Sequence, residues 1–92
     1  MAVMDIFSTS IAANSSWSLF DHGFAANQAV TYSIIVFPGE GAGVPNPAAH
    51  ATLTQGETFQ HVDGTVARKI YVQNNAPFNS VDVHVIAIVE SL

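Results

Sequence analysis

The amino-acid sequence predicts an all-β fold, a single antiparallel β-sandwich of about seven strands, immunoglobulin-like or jelly-roll in type, over residues 1–92. Residues 80–90 alternate apolar side chains with others, which is typical of a β-strand. Asp63-Gly64 separates two β-like segments and predicts a tight hairpin. Residues 24–27 fit either a helical turn or an extended link, and no longer segment predicts a helix, so we expect short strands joined by turns.

The last predicted strand, residues 80–90, is the one around which the others are expected to pack. One of its faces is apolar throughout and is formed by Val81, Val83, Val85, Ala87 and Val89. The other face is polar at both ends but carries Ile86 and Ile88 in the middle. Apolar side chains on both faces favour a strand in the middle of a sheet.

The N-terminal half predicts three strands. Residues 3–11 alternate poorly and carry a single charge, at Asp5, which favours an edge strand that pairs with another subunit. Residues 17–20 form a short strand with Trp17 in the core, and a turn follows at residues 21–23. Residues 28–37 are rich in β-branched and aromatic side chains and are expected to form a second central strand.

Three further strands are expected before the last one. Residues 49–54 form a short strand that ends in a turn at Gln55-Gly56. Residues 57–62 and 65–73 then form a hairpin whose two-residue type I′ turn is Asp63-Gly64, with Gly64 at positive φ. Counting outward from that turn places Phe59 opposite Arg68, so the guanidinium is expected to stack on the ring. The predicted buried face of the hairpin consists of Phe59, Val66, Arg68, Ile70 and Val72.

The apolar faces of these strands also predict the core. The side chains expected to be mostly buried are Trp17, Leu19, Tyr32, Ile34, Val36, Phe59, Ile70, Val72, Val83 and Val85.

Composition and charge exclude several classes of function. Hydrophobic residues make up 49% of the chain, charged residues only 10%, and two basic residues face seven acidic ones, for a formal charge of −5. A chain this acidic has no basic patch for nucleic acid or for anionic lipid headgroups. The apolar runs are too short to insert into a membrane, and the N-terminus does not resemble a secretory signal. There is no cysteine, and the compartment stays open.

The loops are the first place to look for a binding site. The Pro- and Gly-rich residues 38–47 form the longest predicted loop, for which a crossover between two sheets is the simpler interpretation. Small β-sandwiches bind sugars through aromatic, Asn and Asp side chains of such loops. The candidate ligand-binding residues are Asp21, His22, Phe24, Asn46, Asn74, Asn75, Phe78 and Asn79.

Two histidine–aspartate pairs are weak metal candidates. His61 and Asp63, like Asp82 and His84, are two residues apart and would share one face of a strand, a spacing that can chelate zinc. Polar strand faces produce such pairs by chance, so we expect no metal and no cofactor. No Gly-x-Ser-x-Gly elbow or phosphate-binding loop is present, and we expect no catalytic residue and no enzyme activity.

Two functions remain after these exclusions. The first is a non-enzymatic structural subunit that assembles into a homo-oligomer, which the low charge and the poorly protected first strand favour. The second is a small carbohydrate-binding, lectin-like module that uses its loops.

Overall fold

The computed structural model describes residues 2–41 and 49–91. They form an all-β fold with six strands among the described residues, and no helix there is long and apolar enough to cross a bilayer. The strands are β1 (Ala2–Ile11), β2 (Ser16–Asp21), β3 (Gln28–Gly41), β4 (Ala51–Gln60), β5 (Val66–Asn74) and β6 (Asn79–Ser91).

The six strands form two antiparallel sheets of three strands each. Sheet A has the order β1-β6-β3 and sheet B the order β2-β5-β4. The last strand, β6, therefore lies in the middle of its sheet, and β1 lies at an edge, as the sequence predicts. The chain alternates between the sheets through β1 to β4 and then adds the two central strands, β5 and β6.

One hydrophobic core contains side chains from both sheets. Sheet A contributes the inward-facing residues of β6 together with Val30 and Tyr32 of β3, and sheet B contributes Ile70 and Val72 of β5. Five of the predicted core residues are buried, namely Tyr32, Ile70, Val72, Val83 and Val85. Trp17, Leu19, Ile34 and Val36 are only partly buried and pack around this core.

The strand β3 is an edge strand, and the prediction of a second central strand is wrong. It pairs with β6 on one side only. The outer face of the strand is, separately, not covered by sheet B. Ile35 and Phe37 are 50% and 52% exposed. A strand that is apolar on both faces can be buried on both or can leave one face for a partner, and the alternation alone does not separate these cases.

The number of strands falls short of seven because residues 49–54 and 57–62 do not form separate strands. They join into the continuous β4, whose register against β5 shifts between Gln55 and Thr58. The predicted turn at Gln55-Gly56 is therefore a β-bulge, which bends a strand without reversing it. A Cβ on Gly56 would lie 2.9 Å from Cε2 of Tyr71, so any larger residue there requires the Tyr71 ring or the strand to shift.

The β4–β5 hairpin has a three-residue loop, and the predicted type I′ turn is wrong. The backbone N–H of Gly64 donates to the carbonyl of His61 at 3.0 Å, and that of His61 donates to Thr65 at 2.8 Å. Gly64 has φ +92°, which confirms the predicted positive φ, at the end of a type I turn with a bulge. The register consequently moves by one residue, so that Phe59 lies opposite Ala67 and not opposite Arg68.

This change of register moves Phe59 to the outer face of sheet B, because neighbouring residues of a strand point to opposite faces. Arg68 stays on the inner face with Val66, Ile70 and Val72, all of them buried. Its guanidinium carbon lies 6.0 Å from the ring centre of Phe24, and not over Phe59 as predicted.

Candidate binding surfaces

The candidate loop residues are divided between the two ends of the molecule. Asp21 pairs with Arg68 at the end of β2, whereas Asn74 ends β5 six residues later, about 20 Å along the strand. Asp21, His22 and Phe24 therefore do not meet the group at residues 74–79. Asn46 lies outside the described residues. The structure does not bring the predicted ligand-binding residues into one site.

The asparagines at residues 74 and 79 are structural groups of the interior. Asn74 is fully buried, and its side-chain nitrogen donates to the carbonyls of Ile11, Ala12 and Asn79 at 3.0–3.1 Å. Its side-chain oxygen accepts from the backbone N–H of Ala76 at 2.8 Å. Asn79 is 4% exposed. Buried amides with these partners hold the chain where the sheets meet and have little capacity left for a ligand.

The other two candidates at that end are exposed. Asn75 donates from its side chain to Oγ1 of Thr52 at 2.7 Å, which joins the β5–β6 connection to β4. The ring of Phe78 is 68% exposed. A single exposed ring does not by itself define a binding site.

At the opposite end, Asp21 is held by two internal hydrogen bonds. Its Oδ2 accepts from the hydroxyl of Tyr32 at 2.5 Å, and its Oδ1 accepts from the backbone N–H of Gly23 at 3.0 Å. Burial raises the pKa of the Tyr32 phenol well above its ordinary value of 10.0, and the hydrogen bond to Asp21 and the charge of Asp21 act in the same direction. This pair fastens the end of β2 to β3.

An aromatic surface on the outer face of sheet B was missed by the sequence analysis. The Phe20 ring meets Phe59 edge-on at 6.4 Å, Phe59 meets His61 at 5.3 Å, and His61 is stacked on His22 at 6.5 Å. Nζ of Lys69 lies 4.9 Å from the ring centre of Phe20 and 5.0 Å from that of Tyr71. We call this set the aromatic strip: Phe20, His22, Phe59, His61, Lys69 and Tyr71.

The aromatic strip depends on the cross-strand register, which explains why it was missed. The spacing of Phe59 and His61, and of Lys69 and Tyr71, is a signal that each pair shares a face. The predicted register placed Phe59 on the inner face, and only the three-residue hairpin loop turns it outward beside Phe20.

The two candidate metal pairs are occupied by other contacts. Asp63 accepts from the backbone N–H and the hydroxyl of Thr65, and these hydrogen bonds hold the pKa of its carboxyl below the ordinary value. Asp82 accepts from the Ser10 hydroxyl at 2.5 Å. His84 lies 2.8 Å from Asp5. The described part of the chain contains no cluster of three or more groups that could hold a metal ion.

The outer face of sheet A carries exposed apolar side chains at both edges. On β1, Val3 is 63% exposed and pairs with Ile88 of the central strand. On β3, Ile35 and Phe37 are half exposed, and the Phe37 ring meets His84 edge-on at 6.1 Å. Ile86 and Ile88 lie between these edges and are partly buried. Sheet A thus combines two long edge strands with an outer face on which exposed apolar side chains lie beside polar ones such as Asp82 and His84.

Comparison of the chain with protein-family models, curated proteins and solved structures finds no match in any of the three.

Proposed function

We propose that this chain is a non-enzymatic structural subunit that self-associates through the edges of sheet A, and that its two sheets form a β-sandwich. With six described strands, the arrangement is nearer to the seven strands of the immunoglobulin constant type than to the eight of a jelly roll. The observation that carries the proposal is that both edges of sheet A are long and almost free of charge.

The edge strands carry few of the features that normally prevent pairing with other chains, and these features are confined to part of each strand. Edge strands are usually short, or are protected by Lys, Pro or a bulge. The strand β1 has ten residues and carries one charge, at Asp5, with a bulge between Asp5 and Phe7. The strand β3 carries neither charge nor proline from residue 28 to residue 37, and Pro38 follows. Residues 7–11 of β1 and 28–37 of β3 therefore present stretches of backbone without charge, proline or bulge to a second subunit.

The exposed apolar side chains of sheet A extend the same surface. Val3, Ile35 and Phe37 would be covered when a second copy adds its strand or its outer face, and such burial is the usual driving force of association. Few charges keep copies apart, because only 10% of the residues are charged.

Substitutions test the proposal better than removal of the first strand. Because β1 pairs with β6 from Ala2 to Ile11, a deletion would uncover the central strand. Val3→Lys and Ile35→Lys instead add a charge at exposed positions of β1 and β3. Phe78→Lys makes the same change in charge at an exposed position outside the strands and is the matched control.

Sedimentation equilibrium then gives the mass of each protein. We expect an oligomer for the native chain and for Phe78→Lys, and a lower mass for Val3→Lys, Ile35→Lys or both. A native chain that sediments as a monomer at high concentration overturns the proposal.

A carbohydrate-binding module is the second candidate, and the aromatic strip is the observation that favours it. Phe20 and Tyr71 are 47% and 40% exposed, and sugar rings stack their C–H faces on such rings. A glycan array with the native chain and with Phe20→Ala tests this candidate. Selective glycan binding that is lost in Phe20→Ala supports it, and an array without any specific signal contradicts it.

A further inference from the structure

Arg68 is the one arginine of the chain, and its guanidinium lies inside the fold. It is 4% exposed on the inner face of β5. Its Nη2 donates to the backbone carbonyl of Gln28 at 3.0 Å, so the side chain reaches from sheet B to the first residue of β3 in sheet A. The guanidinium carbon lies 6.0 Å from the ring centre of Phe24.

The second terminal nitrogen of Arg68 has no partner among the described residues. Nη1 is buried without a hydrogen bond, and Arg68 forms no ion pair with a carboxylate there. The nearest candidate by register is Asp21, whose two oxygens accept from Tyr32 and Gly23. A buried charge without a partner is strongly unfavourable, and buried arginines are ordinarily paired with carboxylates. The two N–H groups of Nη1 therefore lack an acceptor among the described residues.

A cleft adjoins this guanidinium. It has a volume of about 380 Å³ and lies between the start of β3 and the end of β4, which are edge strands of the two sheets. Its lining is mixed in polarity and includes Gln28, Val30, Thr58, Gln60, Val66 and Arg68. The exposed side chains of Thr58 and Gln60 border it on the β4 side and supply further hydrogen-bond donors. The cleft is large enough for a carboxylate with a short apolar body.

The charge of the cleft selects a singly charged anion. Lys69, the other basic residue, follows Arg68 in β5 and therefore lies on the outer face, against Phe20 and Tyr71. One positive charge thus faces the cleft in a chain of formal charge −5, which disfavours multiply charged groups such as phosphates. Guanidinium nitrogens match the spacing of carboxylate oxygens.

We infer that Arg68 anchors a binding site for a carboxylate group in the cleft between β3 and β4. The carboxylate belongs either to a free monocarboxylic acid with a short apolar chain or to an acidic side chain of a second copy. The inference rests on the buried, half-paired guanidinium and its cleft, and not on the proposed pairing of sheet A.

Nitrogen-15 NMR of the arginine side chain is the direct test on the native protein. A chain with one arginine gives one set of guanidinium signals, so no assignment is needed. Sodium acetate and sodium butyrate are titrated against sodium chloride at equal ionic strength. We expect saturable shifts with both carboxylates, at lower concentration with butyrate because of the apolar lining, and none with chloride. Equal responses to all three salts, or no response, overturn the inference.

Two variants with the same loss of charge complete the test. Arg68→Met removes the anchor, whereas Lys69→Met removes the neighbouring charge from the opposite face. We expect butyrate to raise the melting temperature of the native chain and of Lys69→Met but not of Arg68→Met. A rise that persists in Arg68→Met overturns the inference. If Arg68→Met does not fold, the NMR titration decides alone.

Sedimentation in butyrate separates the two sources of the carboxylate. A site filled by a second copy predicts that butyrate dissociates the oligomer, and that Arg68→Met is a monomer while Lys69→Met is not. A site for a free acid predicts a mass that does not change with butyrate. Both results require the saturable NMR shift. The carboxylate site at Arg68 can therefore be disproved while the pairing of sheet A holds, and the pairing of sheet A can be disproved while the carboxylate site holds.

Discussion

The side-chain nitrogen of Asn74 lies 3.0 Å from the carbonyl oxygen of Ile11, across the boundary between the two sheets. The same nitrogen donates to Ala12 and to Asn79, so one fully buried amide joins the ends of β1 and β5 to the start of β6. Backbone carbonyls at strand ends need donor partners in a dry interior, and the side-chain NH2 of Asn74 provides them where the backbone hydrogen bonds of the strands stop.

Replacement of Asn74 by alanine should therefore cost roughly 2–4 kcal/mol of unfolding free energy, because several buried backbone groups lose their partners at once. Urea unfolding followed by circular dichroism measures this cost. Asn75→Ala is the matched control, since its side chain makes one exposed hydrogen bond to Thr52, and we expect less than about 1 kcal/mol there. Equal losses in the two variants would show that Asn74 has no special structural role.

The burial of Asn74 could not be predicted from the sequence. The Asn-rich segment 73–79 is typical of an exposed turn, so the sequence predicts ligand-binding groups there. Burial of Asn74 depends on strand ends that are distant in sequence, at Ile11 and Ala12, and no local pattern encodes it. In contrast, the strand character and the inner face of β6 could be predicted, because the alternation of its side chains is local.

The strand β4 illustrates the same limit at a glycine. Gln55-Gly56 matches both a turn and a bulge, and the choice depends on Tyr71 of the neighbouring strand, whose ring packs over Gly56. The edge position of β3 is similar, because apolar residues on both faces occur in central strands and also in edge strands. Local periodicity thus predicts strands and their inner faces, while register and sheet order depend on contacts between distant residues.

The bulge leads to a prediction about Gly56. Gly56→Ala should lower the unfolding free energy by about 1–3 kcal/mol, because its Cβ would lie 2.9 Å from the Tyr71 ring and 3.2 Å from the backbone oxygen of Lys69. Tyr71→Ala removes the first contact, so the cost of Gly56→Ala should shrink in that background. A double-mutant cycle by urea unfolding measures the coupling. Strictly additive costs would argue against the ring as the constraint.

The hairpin loop gives a second backbone prediction. Gly64 has φ +92°, and a Cβ there would meet nothing within 4 Å, so any cost of substitution comes from the backbone conformation alone. We expect Gly64→Val to lower the unfolding free energy by roughly 1 kcal/mol or more, and Gly64→Asn to cost less, because Asn tolerates positive φ better. Thermal unfolding ranks the three proteins. The same melting temperature for all three proteins would show that residue 64 does not need a positive φ.

The core of sheet A is tested at Val85. Its side chain is fully buried in the central strand, where it pairs with Phe7 on one side and Ile34 on the other. Val85→Ala should cost about 1–3 kcal/mol for the methyl groups lost and the cavity left. Ile35→Ala, at a half-exposed position of the same sheet, should cost less in the monomer. Urea unfolding at low protein concentration compares them, and a reversed order would contradict this assignment of inner and outer faces.

The hydrogen bond between Tyr32 and Asp21 predicts a dependence of stability on alkaline pH. The pKa of Tyr32 is raised in the folded protein, chiefly by burial, so the phenol keeps its proton when the same group in the unfolded chain loses it. Above about pH 10 the unfolded state therefore binds fewer protons than the folded state, and the unfolding free energy falls by up to about 1.4 kcal/mol per pH unit. Below that pH the contribution of Tyr32 is fully present.

Tyr32→Phe removes this ionisation while leaving Tyr71 and Lys69 in place. We expect the variant to be less stable than the native chain at neutral pH, by about 0.5–1.5 kcal/mol for the lost hydrogen bond. Between about pH 10 and pH 12 its unfolding free energy should fall less steeply, so the two curves converge. Urea unfolding at a series of pH values measures both slopes. Parallel curves over this range would mean that Tyr32 ionises equally in the folded and unfolded states, and the bond to Asp21 would then have no effect on its titration.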